Sequence, residues 1–241
     1  MDNFVDFLAN RVAMSITDIR NRAGQHHGTC TWHFSQCKDP VRTIIGKAEG
    51  SKDGICEILA AKWAALEVGG TTNLTAWLAG GGSGHRSQLD VARIALLAQT
   101  FATGSGKGID QEDKTEAWLR QQGIKQIGLD MAGLAERAGH AKFDLDELFG
   151  DLEKRARRES RPVIGLLTLA EKNRFFGYKG HIMAFKLAKG GKPPVKYFDP
   201  NYGEFEFDTF ANFKDWFRYY FEQSHYQRFM GTHYRLRYLS A

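Results

Sequence analysis

The chain has 241 residues, 42% of them hydrophobic and 25% charged. That balance argues against a disordered chain and suits a folded one with a sizeable core. Thirty-three Lys and Arg against 28 Asp and Glu leave a net charge of +5, too small an excess to demand an anionic partner. The longest clean apolar run, Val163–Ala170, falls far short of the ~20 residues of a membrane helix. The start Met1-Asp2-Asn3-Phe4 lacks the basic and apolar regions of a classical signal peptide.

Helical spacing dominates the first two thirds. Asp2 to about Arg22 sets Phe4, Phe7, Leu8, Val12, Ile16 and Ile19 at intervals of mostly three and four, which predicts an amphipathic helix. A second helix is expected over Asp53–Glu67, with Asp53 as its cap and Gly69-Gly70 as its stop. Further helices are expected over Arg86 to about Phe101, Lys114–Gln122, Asp130–Ala138 and Leu145–Arg158. Near Arg161-Pro162 the pattern changes. Val163–Leu169, His181–Leu187, Val195–Asp199, Gly203–Phe207 and Thr232–Leu239 read as strands. Between the last two, an aromatic helix runs from Asp208 to about Gln223, and its spacing marks it as core.

Three cysteines, Cys30, Cys37 and Cys56, do not make a disulfide scaffold in a chain this long. Cys56 falls in the first turn of the second predicted helix, where free N–H groups and the helix dipole favour a thiolate. His181 opens one predicted strand and Asp199 closes the next. A hairpin turn centred on Gly190 sets the two directly opposite each other. A carboxylate that orients an imidazole, beside a thiol, is the apparatus of nucleophilic thiol catalysis.

Three blocks carry a resemblance: Gly54-Ile55-Cys56-Glu57-Ile58-Leu59 with Trp63, Gly180-His181-Ile182-Met183-Ala184-Phe185, and Tyr197-Phe198-Asp199-Pro200-Asn201-Tyr202-Gly203-Glu204-Phe205. Together they resemble the YopT/AvrPphB family of papain-fold cysteine proteases, over about residues 50–210. The resemblance implies nucleophile Cys56, base His181 and orienting Asp199, in a bacterial effector that cleaves a protein of a target cell. It departs from the wider papain pattern at one point. Where an amide side chain five or six residues before the cysteine serves as oxyanion donor, this chain has Ser51 and Gly50. Ser51 is then the expected donor, beside the backbone N–H of Cys56.

Other constellations carry less. Cys30-x2-His33-x3-Cys37, after His26-His27, fits no standard zinc spacing. Unpaired residues are the favoured reading, with a metal site or a Cys30–Cys37 disulfide as alternatives. Gly104-Ser105-Gly106-Lys107-Gly108 lacks the first glycine and the following hydroxyl of a phosphate-binding loop. Basic residues gather at Lys154-Arg155-x-Arg157-Arg158-x-x-Arg161. A second set, His233, Arg235 and Arg237, lies along one strand near Tyr219, Tyr220 and Tyr226. A solvated helix face and an ordinary sheet edge are favoured over a nucleic-acid surface.

The expectation is an α+β, papain-like single domain over residues 1–241, mainly helical to about 160 and antiparallel sheet from about 161, with the active cleft between the two parts. The expected function is a thiol peptidase with the triad Cys56, His181 and Asp199, needing no metal or cofactor. Its partner is a protein substrate, with no nucleic acid and no integral membrane segment. It is expected to be secreted without a classical signal peptide and to act inside a target cell, or to stay in the producer's cytoplasm. A deamidase or acyltransferase using the same triad, and a catalytically silent binding module, are the alternative readings.

Overall fold

A computed structural model describes residues 3–47, 55–70, 72–79, 90–103, 111–132, 144–173, 177–192, 194–230 and 233–241. The elements run α1 (Asn3–Gln25), β1 (Gly28–Trp32), α2 (Val41–Lys47), α3 (Cys56–Gly69), α4 (Leu74–Leu78), α5 (Val91–Thr103), α6 (Gln111–Gln121), β2 (Lys125–Ala132) and α7 (Leu145–Arg158). They continue with β3 (Val163–Asn173), β4 (Gly177–Leu187), β5 (Val195–Asp199), β6 (Gly203–Phe207), α8 (Phe210–Gln223), α9 (Tyr226–Phe229) and β7 (His233–Ser240). The class is α+β, as expected. The seven strands form one sheet in the order β1-β6-β5-β4-β3-β7-β2, antiparallel at every pairing.

Alternation along the strands divides the core in two. Met183, Phe185, Leu187, Val195 and Tyr197 pack with Val12, Ile16 and Ile19 of α1, Phe149 and Leu152 of α7, and the aromatic stripe of α8. Ile182, Ala184 and Phe198 pack instead with Leu59, Ala60 and Trp63 of α3, Leu78 of α4, Ile94 of α5 and Trp118 of α6. Helices therefore cover both faces of the sheet. In α8 the residues Phe210, Phe213, Trp216, Phe217, Tyr220 and Phe221 are buried, and such a side chain contributes about 1.5–3 kcal/mol when fully removed from water. Its cap is Thr209, whose hydroxyl accepts the Asn212 N–H (3.1 Å), rather than Asp208.

Two strands come from the part of the sequence that reads as helical. Gly28–Trp32 pairs with β6, and Lys125–Ala132 pairs with β7. Both are edge strands, short or weakly patterned, so pairing partners far along the chain decide their conformation rather than local periodicity. The helix expected over Asp130–Ala138 is thereby corrected at residues 130–132, which complete β2; residues 133–138 lie outside the described part. Helix α3 starts at Cys56 rather than Asp53, which also lies outside it. The helix stops as expected at Gly70, which adopts φ +66, the left-handed C-cap that glycine accepts most readily. Helix α5 starts at Val91 rather than Arg86. Among the described residues no helix is long and apolar enough to cross a membrane.

Gly203 has a strict steric reason. Its φ is +113, and a Cβ there would sit 2.2 Å from the carbonyl oxygen of Trp32. Only a glycine lets β1 approach the turn after Asp199 so closely. That approach brings the segment following β1 to the site.

Candidate active site

Cys56 is the first residue of α3. Ile55 precedes it as cap with φ −117 and ψ 22, and makes no side-chain capping bond. The first turn thus presents its backbone N–H groups and the positive end of the helix dipole beside the thiol. Cys56 is part-buried, and its thiol interacts with the His181 ring.

His181 and Asp199 meet, but not by the register expected. The β4–β5 ladder pairs Ala184 with Phe198 and Leu187 with Val195, which is two residues out of step with direct opposition of 181 and 199. A slip of two preserves the face on which a side chain emerges, so the two residues become diagonal neighbours. His181 Nε2 lies 2.7 Å from Asp199 Oδ1. With Nε2 taken, Nδ1 is the ring nitrogen left for the thiol. Both residues are buried, Asp199 completely.

The carboxylate of Asp199 is surrounded by donors. Oδ1 also accepts the backbone N–H of Asn201 (2.7 Å). Oδ2 accepts the hydroxyls of Tyr220 and of Tyr226, the latter at 3.1 Å. Burial opposes a charge on His181, but the Asp199 charge and hydrogen bond, with the Cys56 contact, outweigh it and push His181 up to about 10. The pairing with Asp199 thereby favours the imidazolium form of the ring.

Sequence patterns do not reveal four residues that the structure adds. Asn201 lies in the Asp199 block; its Nδ2 donates to Tyr226 Oη (2.7 Å) and lies 3.4 Å from His181 Nε2. Gln36, twenty residues before Cys56 in sequence, donates from Nε2 to Asn201 Oδ1 (2.8 Å) and accepts the Ile55 N–H on Oε1 (3.3 Å). Tyr220 and Tyr226 reach Asp199 from α8 and α9. A polar tip at the end of an aromatic core helix is the signal that could have found Tyr220.

The other candidates fall elsewhere. Ser51 lies outside the described residues. Cys37 reaches the site: its thiol donates to Asn201 Oδ1 (3.2 Å), and burial with the Asp199 and Cys56 charges pushes it up to about 12. Cys30 packs beside Arg20, where burial pushes its thiol up to about 11, and His33 is exposed. All three cysteines are free thiols. Arg237 does not join a basic stripe; it is buried and donates from Nη2 to Glu57 Oε1 (3.1 Å), the residue after Cys56.

The family of peptidases described as Yersinia/Haemophilus virulence surface antigen matches residues 20–240. The chain belongs to this family. It is the family of YopT/AvrPphB-type cysteine proteases. Among its relatives is the "Protein adenylyltransferase and cysteine protease IbpA" of Histophilus somni. It is 28% identical over 218 residues, covering 88% of this chain and 5% of that protein. "Cysteine protease YopT" of Yersinia pseudotuberculosis is 25% identical over 239 residues, covering 92% and 67%. The chain thus spans only part of each relative's length. Among solved structures, the Pseudomonas avirulence protein AvrPphB superposes with a TM-score of 0.49 at 16% identity, over 79% of this chain and 93% of that one.

Proposed function

We propose that this family member hydrolyses peptide bonds of a target-cell protein with Cys56 as nucleophile, His181 as acid and base, and Asp199 as the group that orients His181. The observation that carries the reading is the His181 ring held by Asp199 at 2.7 Å and electrostatically coupled to the thiol at the start of α3. The thiolate sulfur attacks the scissile carbonyl carbon, and the backbone N–H of Cys56 faces the developing oxyanion. As the C–N bond breaks, the imidazolium gives its proton to the leaving amine. Neutral His181 then takes a proton from water, whose oxygen attacks the thioester and releases Cys56. The chemistry uses no group beyond these side chains, the helix start and water.

The proposed working unit is residues 1–241 as a single papain-like domain, because the site draws on Gln36, Cys56, His181, Asp199 and Tyr226. The proposed route is secretion without a classical signal peptide and action on a protein inside a target cell. This agrees with the virulence description of the family.

The test is to incubate target-cell lysate with the wild-type chain and with Cys56→Ala and His181→Ala, and to identify new protein N-termini by mass spectrometry. New N-termini are expected with wild type and with neither variant. Mass shifts of one unit on glutamine, without new N-termini, would replace hydrolysis by deamidation. Cleavage that survives Cys56→Ala removes the mechanism.

A further inference from the structure

The two halves of the site sit on separate parts of the chain, and the buried side chain of Gln36 reaches both. The Gln36 carboxamide accepts the N–H of Ile55, the residue immediately before Cys56 (3.3 Å), and donates to Asn201 Oδ1 (2.8 Å). Asn201 in turn donates its backbone N–H to Asp199 Oδ1 (2.7 Å). The orientation of the amide is fixed by its neighbours. Turning it over would set Nε2 against the Ile55 N–H, donor to donor, and Oε1 against Asn201 Oδ1, acceptor to acceptor.

We propose that Gln36 is a positioning residue for the nucleophile, tying the helix start that carries Cys56 to the turn that follows Asp199. The inference rests on the thiol-peptidase reading above. It deepens that reading by naming what holds the thiol against the imidazole. Ile55, the cap residue of α3, makes no side-chain capping bond, and Gln36 supplies an acceptor for its N–H from elsewhere in the chain. Ile55 and Gln36 are both buried, and water is a poor substitute for either partner there.

Gln36 is a clean residue to vary. Its backbone is held independently, by its own N–H on Pro200 O (2.7 Å). The segment just before it is anchored by Arg20, which donates from Nη2 to Phe34 O (2.9 Å), and by the stacking of Phe34 on Trp32. Removing the carboxamide therefore takes away the bridge and leaves the chain path.

The experiment measures the rate of iodoacetamide alkylation at Cys56 and at Cys30, peptide by peptide, in the folded full chain below its melting temperature. Gln36→Ala should slow Cys56 by about 10- to 100-fold, the scale expected for a misplaced reacting group, and leave Cys30 unchanged. Gln36→Glu keeps an acceptor for Ile55 but, ionised at pH 8, offers Asn201 no donor, and should fall between wild type and Gln36→Ala. A folded Gln36→Ala that reacts at the wild-type rate overturns the inference. So does a parallel change at Cys30 with no gain in Gln36→Glu, which marks general loosening. Should Gln36→Ala fail to fold, Gln36→Glu decides, and a wild-type rate there overturns the bridge. A wild-type Cys56 no faster than that of His181→Ala removes the peptidase reading itself, and this inference with it. A fast wild type matched by every Gln36 variant overturns the inference alone.

Discussion

The imidazole side and the thiol side of the site are built differently. Asp199 is fully buried, and donors reach it from β4, from its own turn, from α8 and from α9. The thiol side is a helix start whose cap makes no side-chain bond. It is tied down by Gln36 on Ile55 and by the buried Glu57–Arg237 pair one residue beyond Cys56. The first arrangement couples the site to the fold, because buried donors left without a partner cost free energy. The second leaves the nucleophile adjustable at small structural cost. Lesions on the imidazole side should therefore lower stability and reactivity together, and removal of the Gln36 carboxamide should lower stability less for a given loss of reactivity.

The strongest challenge to that contrast is Asp199→Asn. It preserves size but removes the charge that holds the imidazolium and replaces one of the two acceptor oxygens by an NH2 donor. Cys56 alkylation and substrate cleavage should fall by about 10³–10⁴-fold, as when an orienting carboxylate is lost from a triad, and the melting temperature should fall with them. A large loss of rate at unchanged melting temperature would show that the imidazole side is no more coupled to the fold than the thiol side.

A milder probe is pH. His181 is raised from its ordinary value of 6.5 to about 10 in the folded state. A raised value means the folded state holds the proton more tightly than the unfolded state. The stabilisation is then fully present below pH 6.5 and lost as pH rises through about 10. Urea unfolding between pH 6.5 and 10 should show stability declining, and the decline should flatten in His181→Phe. An unchanged slope in that variant would assign the loss to other groups.

The smallest expected effect is Tyr220→Phe. It removes one of the two hydroxyls on Asp199 Oδ2 and leaves Tyr226 in place. A hydrogen bond to a charged group is worth about 1.5–3 kcal/mol, so unfolding should reveal a loss of that order. Cys56 alkylation should change less than tenfold. A loss of reactivity larger than that of Gln36→Ala would invert the comparison.

Local pattern read the strand blocks from Val163 onward, the aromatic core helix and the Gly70 stop, and together with the family resemblance it singled out Cys56, His181 and Asp199. It could do so because alternation, helical spacing and a strained glycine are written in neighbouring positions. The structure corrected the details that depend on partners. The hairpin slipped by two residues yet kept His181 and Asp199 on one face, since side-chain direction repeats every second residue in a strand. The edge strands Gly28–Trp32 and Lys125–Ala132 carry little signal of their own, and distant β6 and β7 recruit them. The roles of Gln36, Asn201, Tyr220 and Tyr226 were not legible for the same reason. Each is an ordinary polar residue in its local sequence and becomes part of the site only when folding buries it where a particular hydrogen-bond partner waits.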